Sequence, residues 1–102
     1  MPAETQQAGN SSVPAWYLDS FEGLAEVLAR SGLRTRLVTS PGRVPSLHVV
    51  NPAAAALAED VYLGRSQDGA WWFWWSWAER IASQDDLAGA ALMIKRVLAV
   101  RE

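Results

Sequence analysis

Three groups of residues in this chain have side chains suited to recognition or catalysis. The first is Trp71-Trp72-Phe73-Trp74-Trp75-Ser76-Trp77, with five indoles in seven positions. Indoles bury large areas, hold cations over their faces and are enriched at interfaces. The second is Arg34, Arg36 and Arg43, a local basic strip; arginines beside an aromatic sheet face are the pattern that stacks unpaired nucleic-acid bases. The third is His48, the only histidine, with Glu59, Asp60 and Glu79 as candidate acids. Acid–base chemistry needs such groups within hydrogen-bond reach of one another. Spacing along the chain links His48 to none of these acids. One histidine without any cysteine is also too small a ligand set for a zinc site. The expectation is a protein that is not an enzyme and uses no cofactor or metal.

The aromatic run must be positioned by an extended segment. In a strand, side chains alternate between faces, so Trp71, Phe73, Trp75 and Trp77 share one side and Trp72, Trp74 and Ser76 the other. The first set suits a core. The second set, on a domain this small, leaves two neighbouring indoles in need of cover. Association, a ligand pocket and simple packing all remain open for this pair.

The surrounding elements follow from periodicity and punctuation. Met1 to Val13 is polar until its last residue and reads as a disordered tail, with a single domain over residues 14–102. Tyr17, Phe21, Leu24, Ala25 and Leu28 recur at helical spacing. The helix starts at Pro14 or, if Asp19 and Glu22 form a capping box, at Asp19; Gly32 ends it. Leu33 to Ser40 and Ser46 to Asn51 read as two strands of a hairpin, with Leu47 and Val49 on one side and His48 and Val50 on the other. Asn51-Pro52 opens a short alanine-rich helix over Ala53 to Glu59. Asp60 to Ser66 and Ala70 to Trp77 form a second hairpin through Asp68-Gly69. Ser83, three residues before Asp86, marks the cap of a last helix whose stripe is Leu87, Ala91, Ile94 and Leu98. The fold class is α+β: a four-stranded antiparallel sheet with the N- and C-terminal helices on one face, in the order α-β-β-(short α)-β-β-α.

Bulk properties narrow the function classes. The 102 residues make one domain, and a chain that is 50% hydrophobic is too apolar for general disorder. A net charge of −2 with one lysine gives no broad attraction to nucleic acid or anionic lipid, so the arginine strip reads as a solvated strand face and nucleic acid is disfavoured. Glu79 and Arg80 close the aromatic run well short of a membrane span. The first residues lack the basic-then-apolar pattern of a signal peptide, so the expected location is cytoplasmic.

The segments Asn-Pro-Ala-Ala-Ala-Ala-Leu-Ala-Glu-Asp (51–60) and Gly-Ala-Trp-Trp-Phe-Trp-Trp-Ser-Trp-Ala-Glu-Arg-Ile (69–81) resemble a group of small, uncharacterised actinobacterial proteins. The likeness extends over much of residues 16–99. It implies no established activity, so it transfers no site. The helix–hairpin–hairpin–helix order is similar, at the level of fold alone, to α+β dimers of the secretion-chaperone type.

Together these readings give a non-catalytic interaction domain that associates with itself, as a homodimer, or with another protein through its aromatic strand. Trp72 and Trp74 are the expected contact residues, with Trp16 and Tyr62 as contributors. The alternative is a small apolar ligand enclosed by the same indoles.

Overall fold

A computed structural model describes residues 13–99; residues 1–12, which carry nearly all of the expected tail, lie outside the described part. The elements are α1 (Ala15–Arg30), β1 (Arg34–Val38), β2 (Ser46–Val50), β3 (Ala58–Arg65), β4 (Trp71–Trp75), β5 (Arg80–Ser83) and α2 (Leu87–Val97). The strands form one antiparallel meander in the order β1-β2-β3-β4-β5. The class is α+β as expected, but the sheet has five strands rather than four.

The core lies between one sheet face and the two helices. Tyr17, Phe21, Leu24 and Leu28 of α1 and Ala90, Ala91 and Ile94 of α2 meet Leu47, Val49, Val61, Leu63, Phe73 and Trp75 in one buried cluster. These are the positions that period 3.6 and period 2 select, because only one stripe or one face can be taken out of water at a time. Phe21 lies against Phe73 with ring centroids 6.2 Å apart. Tyr17 donates its phenolic O–H to the Leu63 carbonyl at 2.6 Å, and burial raises its pKa above the ordinary 10.0. Val13, just before α1, packs against the same core.

The fifth strand arises from a turn inside the expected long strand. β4 stops at Trp75; Ala78 N–H donates to the Trp75 carbonyl (3.0 Å), and Trp75 N–H donates to that of Glu79 (2.8 Å). Ala78 sits at φ 68°. This is a three-residue hairpin loop with a left-handed residue at its end. Glycine normally fills that position and advertises the turn; here alanine does, so the sequence shows no punctuation. Trp77 is therefore a loop residue, not a fourth core-facing aromatic.

Two other expectations need correction. No helix forms over Ala53 to Glu59: the segment makes consecutive turns and enters β3 at Ala58. Ala54 N–H donates to the Asn51 carbonyl and Leu57 N–H to that of Ala54, while Asn51 N–H donates to the Leu57 carbonyl and closes the loop. Asn51 does cap a turn, its Oδ1 accepting from Ala53 N–H, and its Nδ2 donates to the Leu98 carbonyl at the end of α2. Seven residues, four of them exposed alanines, form too short a run to overcome the cost of helix nucleation. At α2 the capping side chain is Asp86, which accepts from Gly89 N–H at 2.9 Å; Ser83 instead donates to Asp85.

Candidate functional site

With both helices on one side, no other described element covers the opposite side of the sheet. Its residues run in cross-strand rows fixed by the register: Arg36, His48 and Asp60 across β1–β3; Tyr62, Trp74 and Arg80 across β3–β5; Gly64, Trp72 and Ser83 across the same three strands. The face thus has a polar half and an aromatic half, joined along β3.

In the aromatic half, Trp72, Trp74 and Tyr62 are each half-buried. Trp74 donates its Nε1–H to the Gly64 carbonyl at 3.0 Å, lying across a position where β3 has no side chain. The Arg80 guanidinium sits 4.5 Å from the ring centroid of Trp72, a cation–π contact. A β-bulge between Phe73 and Trp74 creates that contact. Phe73 pairs with Ala82, but Trp74 pairs with Arg80, so Ile81 is the extra residue. Ile81 and Ala82 are consecutive and both buried, while Arg80 is turned onto the open face. Trp72 Nε1 is shielded from solvent and has no hydrogen-bond partner among the described residues. Leaving such a donor unpaired costs about 1–3 kcal/mol.

Trp16 does not join this surface. It belongs to α1, on the opposite side, where its ring meets Trp71 edge-on at 5.0 Å and remains 39% exposed. Trp77 stacks parallel on the buried Trp75 at 4.9 Å and donates Nε1–H to the Glu79 carboxylate. Of the four expected contact residues, the structure brings Trp72, Trp74 and Tyr62 together and separates Trp16 from them.

The polar half holds a pairing that spacing did not reveal. His48 Nδ1 lies 2.8 Å from Asp60 Oδ1 across the β2–β3 ladder. The sequence reading put these strands in different hairpins with a helix between them. Treating residues 51–57 as a loop would have placed the two side chains opposite each other on one face. A cleft of about 550 Å³ opens beside the pair, between β1, β2, β3 and the β1–β2 loop. Its lining includes Arg36, Arg43, Ser46 and Tyr62. A second cleft, about 510 Å³, lies at the β3–β4 turn, where Trp74 is joined by Arg65, Ser66, Gln67, Asp68 and Arg80. There the Ser66 hydroxyl and the Ala70 N–H donate to Asp68, which lowers its carboxyl pKa below the ordinary value.

Among the described residues, no three histidine or acidic side chains come together in a way that would hold a metal ion, and no helix is long and apolar enough to cross a membrane. Comparison with known proteins leaves the site to be read from its own chemistry: no family model, no curated protein and no solved structure matches the chain.

Proposed function

We propose that the protein is a non-catalytic interaction domain that pairs with a second copy of itself through the open face of its sheet. One observation carries the reading: both helices pack on the Phe73–Trp75 side, so Trp72, Trp74 and Tyr62 lie half-buried on a face that no other described element covers. Neighbouring indoles so placed favour a partner that removes the remaining area from water. A second copy fits because the face carries both members of a complementary pair. Arg36, exposed on β1, has no partner among the described residues, and Trp74 lies one cross-strand row further along, toward the opposite edge. A two-fold axis running along the strands lays β1 of one protomer over the β4–β5 side of the other, guanidinium toward indole.

The dimensions bound the strength. Five strands about 4.8 Å apart, averaging about 18 Å in length, make a face of a few hundred Å² per protomer. That is below the roughly 1,200–2,000 Å² total of a stable interface, so a weak and reversible dimer is expected. The alternative ligand, a small apolar molecule, gains less support, because the cleft beside Trp74 is lined otherwise by polar and charged side chains.

Sedimentation equilibrium over a concentration series tests the proposal. The expected result is a monomer–dimer equilibrium in the micromolar range or weaker, lost in the Trp72→Ala, Trp74→Ala double variant while the monomer remains folded. A wild-type chain that stays monomeric at the highest concentration overturns it, as does a double variant that dimerises as tightly as the wild type.

A further inference from the structure

We infer that the cleft over β1–β3 is a binding site for the phosphate monoester of a small organic molecule. The inference concerns the polar half of a single protomer; pairing through the open face would cover this cleft, so a ligand and a second copy compete for it.

Charge is the first argument. Arg36 from β1 and Arg43 from the β1–β2 loop both line the cleft, and neither guanidinium has an ion-pair or hydrogen-bond partner among the described residues. The one carboxylate in the lining, Asp60, is already engaged by His48. Two uncompensated positive groups therefore converge on one concavity in a chain whose net charge is −2. With Asp60 set against the two arginines the lining is still net positive, and such a cleft concentrates anions.

Hydroxyl donors are the second argument, independent of the first. Ser46 lines the cleft and is only 7% exposed, yet its hydroxyl engages no other described residue. The Tyr62 hydroxyl, on the neighbouring strand, has no described partner either.

The arrangement suits phosphate better than carboxylate. One guanidinium fork satisfies a planar carboxylate in two parallel hydrogen bonds. Here two guanidiniums on separate elements, with hydroxyl donors between the strands, match a tetrahedral group with three terminal oxygens. The volume, about 550 Å³, is within the range of small-molecule sites and larger than a bare anion needs. Val38, Val44 and the Tyr62 ring supply apolar wall for an organic body. Val44 is 65% exposed, and such a body would cover it.

The test is an amide NMR titration of the full chain, kept dilute, with phenyl phosphate, inorganic phosphate and benzoate as separate probes. The expected result is saturable shifts with phenyl phosphate, confined to residues 36–48 and 60–62, with weaker binding of the other two probes. Arg36→Gln and Arg43→Gln should each weaken phenyl phosphate about tenfold, as expected for loss of a charge-assisted bond. Ser46→Ala should weaken it by a smaller factor. Arg34→Gln, which removes a nearby charge that does not line the cleft, should leave binding unchanged. The spectrum of each variant shows that it is folded. The site is overturned if millimolar phenyl phosphate gives no saturable shift, or if Arg34→Gln weakens binding as much as Arg36→Gln. Equal binding of benzoate rules out the preference for phosphate, and equal binding of inorganic phosphate rules out the organic body.

Discussion

The two sides of β4 carry nearly the same chemistry and meet different fates. Phe73 and Trp75 point toward the helices and are sealed, at 0% and 3% exposure. Trp72 and Trp74 point away and remain half-buried, one under Arg80 and one against the Gly64 backbone. Residue hydrophobicity does not separate them. Topology does, because both helices enter from the same side and no other described element covers the opposite one. The inner side is closed by packing; the outer side is moderated by polar contacts and keeps one indole N–H without a partner among the described residues.

The sharpest way to break this comparison is to truncate each side in turn. Phe73→Ala should cost about 3–5 kcal/mol, enough to unfold much of a marginally stable domain. Trp72→Ala should cost about 1–2 kcal/mol, since only part of its area is buried and one unpaired donor is removed with it. Urea denaturation measures both, and equal losses would show that the outer side is core in all but name.

Tyr17→Phe probes how firmly α1 is tied to the inner side. It removes the hydrogen bond to the Leu63 carbonyl and should cost about 1 kcal/mol near neutral pH. Because burial raises the folded-state pKa of Tyr17, its contribution is complete below the ordinary value of 10.0 and is lost as pH rises from there through the folded value. The phenylalanine variant should lack that part of the alkaline decline, and a parallel decline in both proteins would remove Tyr17 as its source.

The smallest expected effect concerns the turn that lets β5 form. Ala78 holds a left-handed conformation that costs a non-glycine residue about 1 kcal/mol, so Ala78→Gly should raise stability by up to about that amount. A thermal melt that shows a loss instead would mean that the alanine side chain supports the hairpin.

Much of the fold is legible because it is written in short-range pattern. Tyr17, Phe21, Leu24 and Leu28 declare one helix, Ala91, Ile94 and Leu98 another, and Leu47, Val49 and Phe73 the inward side of their strands. The errors fall where pattern is weak. Alanine at position 78 hid a turn, and Asn51-Pro52 gave the signal for a helix start at a loop. Ser83, with an acidic residue three positions on, imitated the cap that Asp86 supplies. The candidate site was half visible: alternation placed Trp72 and Trp74 on one face, but put Trp16 with them only by residue type.

The sequence by itself determined which residues must leave water, because burial on a strand or helix follows a period of two or 3.6 and needs no knowledge of distant partners. Tertiary structure alone decided what those periods could not encode. It set both helices on one side of the sheet and brought Asp60 across to His48. Through one inserted residue it turned Arg80 onto Trp72. Each of these depends on register and turn geometry, where a shift of one position moves a side chain to the opposite face.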